Sequence, residues 1–170
     1  MKKDQFFSEN LISWYKKNKR NLPWRKNVND ENYPYKVMVS EFMLQQTGVS
    51  TVIPYFENFI NRWPTIVSLA SAREEDILLA WQGLGYYRRA RNLLKSAKQI
   101  CNQYDSKVPT SLEELQSLPG IGVYASGAIR SIAFDKKAVA VDGNVKRVLA
   151  RYYGFSGRLD QNEKLINEQA

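Results

Sequence analysis

The hydrophobic residues of this chain recur at the spacing of α-helices. One set lies near the N-terminus: Phe7, Leu11, Trp14 and Tyr15. A second set repeats the pattern in the middle of the chain: Ala90, Leu93, Leu94 and Ala97. No segment alternates apolar and polar residues as a half-buried strand does. Prolines divide the chain at intervals that suit short helices: Pro34, Pro54, Pro64, Pro109 and Pro119. We therefore predict an all-α protein of about seven to nine helices.

Composition narrows the class of partner. The chain has 170 residues, which suits one domain or slightly more. Its net charge of +8 favours a polyanionic partner, although lysine-rich solvated surfaces give the same charge in proteins that bind no nucleic acid. No apolar run approaches the roughly 20 residues that span a bilayer, and residues 1–10 lack the apolar core of a secretory signal. We expect a monomer in the cytoplasm, associated with the nucleoid, without a membrane partner.

The chain has one cysteine, Cys101, and no histidine. This composition excludes a disulfide framework, histidine-centred catalysis and most transition-metal sites. Cys101 lies in the apolar helical stretch LLKSAKQICNQY, where packing is a more common role than nucleophilic attack. We therefore expect neither a metal nor an organic cofactor within these residues.

Two strings carry the chemistry, and 22 residues separate Gly120 in the first from Asp142 in the second. The first, LPGIGVYASGAI at 118–129, predicts a tight turn between two helices. Gly120 and Gly122 would leave backbone N–H groups free for a phosphate after Pro119. The second, VDGNVKRVL at 141–149, places a carboxylate at the start of another helix. A phosphate-binding turn followed by one acid is typical of an enzyme that grips a DNA backbone and acts on the adjoining sugar or base.

Glu41 is the second candidate acid. We predict a helix over about residues 35–47, and most neighbours of Glu41 at three and four positions are apolar: Val37, Met38, Leu44 and Gln45. Desolvation would raise the pKa of this carboxyl and make it a proton donor near neutral pH. From the pattern alone, a solvated surface glutamate is an equally good interpretation.

Asp142 also has two interpretations. An aspartate before Gly-Asn-Val-Lys is a good helix cap, and structural caps far outnumber catalytic aspartates. The two roles are compatible, because N–H donors and the helix dipole would hold the carboxylate ionised. Asn144 in the same turn could orient Asp142 or a water, or serve only as a turn residue.

Five stretches together resemble the helix-hairpin-helix DNA glycosylases, and among them most closely the adenine glycosylases. They are LPWR (22–25), VSEFMLQQT (39–47), WQGLGYYRRARNL (81–93), LPGIG (118–122) and DGNVKRVLARYYGFSG (142–157). The resemblance implies a six-helix barrel domain over residues 25–140 that contains the hairpin. It also implies a second helical lobe formed by residues 1–24 and by the incomplete segment 141–170. The flipped base would lie in the cleft between them.

The resemblance implies removal of adenine opposite 8-oxoguanine or guanine in double-stranded DNA. Glu41 would protonate the departing adenine and Asp142 would stabilise or capture the oxocarbenium-like sugar. Tyr124 occupies the position at which the related endonuclease III carries a nucleophilic lysine, which implies base removal without strand cleavage. A tyrosine that merely packs the hairpin is the other interpretation of Tyr124.

The resemblance also implies DNA contacts. Gln45, Gln46 and Thr47 give the end of the Glu41 helix polar amide and hydroxyl groups, and Gln46 and Thr47 would enter the duplex there. The residues matching Leu84 and Tyr86 would wedge the base stack. Three arginines would contact phosphates or be merely solvated: Arg88, Arg89 and Arg91. Two residues match the family's base pocket, although a tryptophan is more often a core residue: Trp24 and Arg25.

Members of the resembled family usually carry a four-cysteine [4Fe-4S] motif and often a domain that reads 8-oxoguanine, both downstream of the matched region. We expect the present chain to stop before them and the cluster to belong to the full-length protein only. Two alternatives stay open. One is a related glycosylase for another base, such as thymine in a T·G mismatch, and the other is a DNA-binding remnant without activity.

Overall fold

The protein is almost wholly helical. The computed structural model describes residues 2–159 and 161–169, which form ten α-helices, one 3₁₀ turn at Pro23–Arg25 and no β-strand. The helices are α1 (Lys2–Asn18), α2 (Tyr33–Leu44), α3 (Val49–Arg62), α4 (Ile66–Ala70), α5 (Glu74–Ala80), α6 (Arg88–Gln103), α7 (Leu112–Gln116), α8 (Val123–Phe134), α9 (Gly143–Tyr153) and α10 (Glu163–Glu168). The predicted all-α class is confirmed. No described helix is long and apolar enough to cross a membrane.

Two details of the predicted helix pattern are wrong. The count of seven to nine is too low, because helices of five to seven residues such as α4 and α5 are too short to show a hydrophobic period. Pro54 was expected to separate helices, but it lies inside α3. A proline removes one backbone N–H donor, but α3 still forms around Pro54. Its first turn has a hydrogen bond from the Val52 N–H to the Gly48 carbonyl at 3.1 Å.

The core surrounds α2, which packs against α3, α6 and α8. Its most deeply buried apolar residues are 0 or 1% exposed: Val37, Met38, Val39, Phe42 and Met43. A helix that is apolar on nearly every side is stable only when other helices enclose it. This enclosure positions the site, because Glu41 lies on the same helix.

Helix α6 is amphipathic and packs against α4 and α5. The predicted stripe is confirmed as its buried face: Ala90, Leu93, Leu94 and Ala97. The opposite face is exposed and basic: Arg88, Arg91, Lys95 and Lys98. The N-terminal end of α6, at Arg88, follows the turn of Gly83–Tyr87. That turn lies next to the C-terminal end of α2.

Helix α1 meets α9 rather than the core around α2. The Phe7 and Tyr152 rings lie 4.3 Å apart, and the Tyr153 hydroxyl donates to Asp4 at 3.1 Å. The helix predicted from the spacing of its apolar residues is confirmed. Most of those side chains are exposed, however, as Leu11 and Trp14 are at 50 and 61%.

Candidate functional site

The C-terminal half of α2, the first turn of α8 and the start of α9 enclose one cavity of about 550 Å³. Apart from Asn144, the residues predicted for catalysis and for the base pocket line it: Trp24, Arg25, Glu41, Tyr124 and Asp142. Two residues predicted to contact DNA line it as well, Gln45 and Gln46. The structure thus brings together residues separated by up to 118 positions in the sequence, from Trp24 to Asp142. The other residues predicted to contact DNA lie outside this lining: Thr47, Leu84, Tyr86, Arg88, Pro119, Gly120 and Gly122.

Glu41 lies one turn before the end of α2 and is half-buried between apolar neighbours of that helix. Burial raises the pKa of its carboxyl to about 7, and the positive charge of Arg25 offsets part of that rise. The carboxyl is therefore partly protonated at neutral pH. This agrees with the elevated pKa expected from the sequence and excludes the solvated surface glutamate.

Asp142 is the N-cap of α9. One carboxylate oxygen, Oδ1, accepts hydrogen bonds from the backbone N–H groups of Asn144 at 2.9 Å and Val145 at 2.8 Å. Partial burial by itself raises the pKa of Asp142, but these bonds, the Asn144 side chain and the charge of Arg147 outweigh it and lower the pKa. The capping role is real, and it keeps the carboxylate ionised as the sequence predicted.

The side chain of Asn144 holds the other carboxylate oxygen. Its Nδ2 donates to Asp142 Oδ2 at 2.8 Å, and its own Oδ1 accepts a hydrogen bond from the Arg147 guanidinium. Of the predicted roles for Asn144, the structure therefore supports the one that orients Asp142. Arg147 was missed, although its position one helical turn after Asn144 is a signal that the sequence contains.

Tyr124 lies in the first turn of α8 and is 45% exposed towards the cavity. Burial raises the pKa of its hydroxyl, and the carboxylates of Glu41 and Asp142 raise it further. The hydroxyl therefore lies within the field of both acids. Tyr124 therefore forms part of the cavity wall, beside any packing role in the hairpin.

Gly127 was also missed, and it determines where the Asp142 loop runs. A Cβ atom on Gly127 would lie 2.1 Å from the carbonyl oxygen of Val139. The chain between α8 and α9 can therefore approach α8 only because this residue has no side chain. The signal in the sequence is the run of small residues in ASGAI, but its partner lies outside that run.

The hairpin consists of α7, the turn of residues 117–122 and α8. Gly120 has φ +85°, and a Cβ there would lie 2.8 Å from the Phe42 ring and 2.9 Å from Asn92, so the fold requires glycine at this position. Gly122, the N-cap of α8, has φ −96° and open space where a Cβ would stand. In the described part of the chain neither glycine N–H has a hydrogen-bond partner, whereas the Ile121 N–H donates to the Leu118 carbonyl at 3.2 Å.

Pro119 and Gly120 also tie the hairpin to its neighbours. The Pro119 carbonyl accepts a bond from the Ser96 hydroxyl at 2.8 Å, and the Gly120 carbonyl accepts one from Gln45 Nε2 at 3.2 Å. The turn is thus fixed to α6 on one side and to the end of α2 on the other.

The predicted duplex-entry residues fall on two loops. Helix α2 ends at Leu44, so residues 45–47 follow it instead of forming its end. Gln46 and Tyr86 both have positive φ, +60° and +48°, and Tyr86 is 65% exposed. Leu84 differs from Tyr86, because its side chain is 5% exposed and belongs to the core.

The three arginines of α6 do not share one environment. Arg88 is exposed, and Arg91 forms an ion pair with Glu74 at 2.8 Å. Arg89 is 6% exposed, so the expectation that it is either a phosphate contact or a solvated charge is wrong. Its guanidinium instead binds backbone carbonyls at the end of α2, which no local sequence pattern predicts.

The predicted base-pocket pair lines the cavity, but each residue has a structural partner as well. Trp24 is 3% exposed and packs edge-on against Phe56 at 5.3 Å, so it is both a core residue and a wall. Arg25 Nη1 donates to the Tyr15 hydroxyl at 3.1 Å, so this lining residue is tied to α1.

Among the described residues, no group of three or more histidine, cysteine, aspartate and glutamate side chains could hold a metal ion. An iron–sulfur cluster of the [4Fe-4S] type needs four cysteine thiolates, and the chain has only Cys101. The residues present therefore do not fit such a cluster.

Sequence comparison relates the chain to DNA repair proteins. The family described as "HhH-GPD superfamily base excision DNA repair protein" matches residues 39–170. An adenine DNA glycosylase of Buchnera aphidicola (subsp. Schizaphis graminum) is 47% identical over 164 residues, covering 96% of this chain and 46% of the relative. The adenine DNA glycosylase of Rattus norvegicus is 50% identical over 150 residues, covering 85% of this chain and 29% of the relative. The chain spans less than half the length of these two relatives.

Structure comparison gives the same picture of the fold. A thermostable thymine-DNA glycosylase superposes with a TM-score of 0.82 at 28% identity, over 94% of this chain and 71% of that one. Endonuclease III in a trapped covalent complex with DNA superposes with a TM-score of 0.76 at 23% identity, over 95% of this chain and 75% of that one. Both superpositions confirm the predicted fold class. At 23% identity, the match to endonuclease III is evidence for the fold alone.

Proposed function

This chain belongs to the HhH-GPD superfamily of base excision DNA repair proteins, and on that premise we propose that it carries the active site of a glycosylase that removes adenine mispaired with 8-oxoguanine or guanine. The observation that supports this proposal is a cavity lined by two carboxyl groups, of Glu41 and Asp142, whose pKa values are shifted in opposite directions. Hydrolysis of a glycosidic bond needs one carboxyl that gives a proton and one that stays ionised. The relatives named adenine DNA glycosylase favour adenine as the base.

Glu41 is the proton donor in this proposal. With a pKa of about 7 the carboxyl carries its proton in a large share of molecules at neutral pH, and the proton passes to the departing adenine. The bond between base and sugar breaks with its electron pair on the base, which leaves an oxocarbenium-like sugar. Glu41, now ionised, takes a proton from the water that adds to the sugar.

Asp142 is the stabilising carboxylate. Its lowered pKa keeps it negative throughout the neutral range, and the Asn144 side chain fixes the orientation of Oδ2. A negative charge held in place before the reaction stabilises the developing cation without the cost of reorientation. The same carboxylate could also capture the sugar briefly, as in retaining glycosidases.

Tyr124 supports base release without strand cleavage. A phenol cannot form the Schiff base that a lysine amine forms with the opened sugar. In the proposal Tyr124 bounds the cavity between the two acids and donates no electron pair to the sugar.

The partner in this proposal is double-stranded DNA that contains a mispaired or oxidised base. The free N–H groups of Gly120 and Gly122 would bind a phosphate, and Gln46, Thr47 and Tyr86 would enter the base stack. Leu84 joins them only if its side chain leaves the core. We also propose that the protein acts as a monomer on the nucleoid in the cytoplasm.

We also propose that the chain is divided as the sequence predicted, into residues 1–24, 25–140 and 141–170. Helices α2 to α8 pack around one core, which corresponds to residues 25–140. Residues 1–24 and 141–170 contribute α1 and α9, which contact each other through Phe7 and Tyr152. In this division the cavity lies between residues 25–140 on one side and the two terminal segments on the other, because residues of both sides line it.

A base-release assay on defined duplexes tests the proposal. The intact protein should release adenine from A·8-oxoguanine and A·G duplexes, and Glu41→Gln should bind them but release nothing, because an amide cannot deliver a proton. The likeness to a thymine-DNA glycosylase makes thymine in a T·G pair the second candidate. Release of thymine alone would replace the first assignment by the second, and release of neither base would leave DNA binding without catalysis.

A further inference from the structure

Arg89, in the first turn of α6, is a buried cation without an acidic partner. It is 6% exposed, and no ion pair within residues 2–159 and 161–169 includes it. Burying an isolated guanidinium is costly, so a fold that retains one must satisfy its donors in another way. The acceptors for Nη1 and Nη2 are oxygen atoms at the end of α2 and in two separate loops, whereas Nε is buried without a hydrogen-bond partner.

One nitrogen of the guanidinium holds the end of α2. Nη1 donates to the carbonyls of Phe42 at 3.3 Å and Met43 at 2.8 Å, and also to the Gln45 carbonyl. The last carbonyls of a helix have no partner within it and carry the negative end of its dipole. A positive charge at this place fixes the point where α2 stops and the Gln45–Thr47 loop begins.

The other nitrogen reaches the second loop. Nη2 donates to the carbonyls of Leu84 at 3.0 Å and Gly85 at 3.3 Å, and to the Thr47 hydroxyl at 3.0 Å. The rigid plane of one guanidinium therefore sets the distance between the loop after α2 and the turn before α6. A lysine ammonium is a single point and cannot reproduce this geometry.

Both loops contain a non-glycine residue in the left-handed region, Gln46 at φ +60° and Tyr86 at φ +48°. Such a conformation is disfavoured and persists only where the surroundings hold it. At Tyr86 the Arg89 guanidinium makes direct contact, because it lies 5.4 Å from the ring. At Gln46 it acts through the two flanking residues, since it donates to the Gln45 carbonyl and to the Thr47 hydroxyl.

We propose that Arg89 is a positioning residue that holds the Gln45–Thr47 loop and the Leu84–Tyr86 turn at one fixed separation, so that Gln46 and Tyr86 enter the duplex together and extrude the target base. This inference rests on the proposed function for the identity of the base and for the entry of Gln46 and Tyr86 into the duplex. Arg89 itself touches neither the DNA nor the reacting atoms. Its effect belongs to the extrusion step, before any bond is broken.

The test measures extrusion and base release separately in the intact protein. A duplex with 2-aminopurine in place of the target adenine reports unstacking by fluorescence, without bond cleavage. Wild type should give the increase, Arg89→Met should lose it, and Lys98→Met, which removes an exposed positive charge from the same helix, should retain it. A normal increase with Arg89→Met would overturn the proposal.

Base release provides the second arm. Misplacement of a positioned group costs on the order of 100-fold, and we expect Arg89→Met to lose about that factor in single-turnover release from the mispaired duplex. Release from a duplex that lacks the opposing base, where extrusion costs less, should fall by much less. Equal losses on both duplexes would indicate a merely structural role. If wild type unstacks the base but releases none, the proposed function fails while the Arg89 inference stands.

Arg89→Lys keeps the experiment decisive if Arg89→Met does not fold, as judged by its thermal unfolding. The ammonium retains the charge and can bind one loop at a time. We expect loss of the fluorescence increase together with near-normal melting. A lysine variant that extrudes the base as wild type does would contradict the need for a rigid fork between the loops.

Discussion

Gly122 offers a substitution that separates DNA binding from folding. It is the N-cap of α8, has an ordinary φ of −96° and has open space where a side chain would begin. Aspartate and asparagine are both good N-caps, and either should stabilise the protein by a few tenths of a kcal/mol, about 0.3, relative to glycine. Gly122→Asp and Gly122→Asn therefore form a matched pair of similar shape and capping power that differs in charge.

The size of the binding effect follows from Coulomb's law. If the hairpin holds a phosphate, the aspartate carboxylate would stand roughly 5 Å from it, which costs about 1–3 kcal/mol at an effective dielectric constant between about 80 and 20. The affinity of Gly122→Asp should fall roughly 5- to 150-fold below that of Gly122→Asn. The loss should be equal for mispaired and fully paired duplexes, because a phosphate contact carries no sequence information.

Fluorescence anisotropy with labelled duplexes at two salt concentrations measures this difference, and thermal unfolding supplies the stability. The gap between the two variants should narrow at higher salt, since added ions screen exposed charges. Equal affinities of Gly122→Asp and Gly122→Asn would refute a phosphate at this turn. A loss confined to one mismatch would refute it as well, by showing that Gly122 lies near a base.

Four further outcomes concern the two acids and their neighbours. The pKa of Glu41 is about 7 in the folded protein, against an ordinary value of 4.5, so the folded form binds the proton more tightly than the unfolded chain. The free energy of unfolding should therefore decline by about 3 kcal/mol as pH rises from below 4.5 to above 7. Denaturant unfolding at pH 5 and pH 8 should show that Glu41→Gln removes much of this decline. Base release by wild type should fall as pH rises through 7. Tyr124→Lys should gain borohydride-trapped adduct and strand cleavage, because a lysine amine forms the Schiff base that a phenol cannot; cleavage by wild type would contradict this. Arg147→Leu should slow single-turnover release about 10-fold, because it removes the hydrogen bond that holds Asn144 against Asp142. The melting temperature should change by only about 1–2 °C, because Arg147 and Asn144 are exposed. An unchanged rate would show that Arg147 has no role in the site.

The features that the sequence predicted correctly depend on near neighbours along the chain. The raised pKa of Glu41 follows from apolar residues within one turn of the same helix, and the capping by Asp142 follows from N–H groups two and three positions later. Helical periodicity and capping act over such short intervals, so a single sequence contains them.

The features that the sequence did not predict depend on distant partners. Arg89 looks like its solvated neighbour Arg88, and only the carbonyls of residues more than 40 positions earlier make it a buried cap. Leu84 and Tyr86 share one apolar turn, yet tertiary packing buries the first and exposes the second. A local pattern cannot distinguish these outcomes, because the deciding atoms come from other elements.

The contact at Gly127 restricts how this site can diverge. Its missing side chain leaves only 2.1 Å between the position of a Cβ and the Val139 carbonyl oxygen, so even alanine would need a displacement of more than 1 Å to reach ordinary contact at 3.4 Å. The genetic code offers no residue between glycine and alanine. Lineages that inherit this site therefore cannot retune the distance between their two acids in small steps here, and an engineer seeking a different substrate would leave Gly127 intact and vary the cavity wall instead.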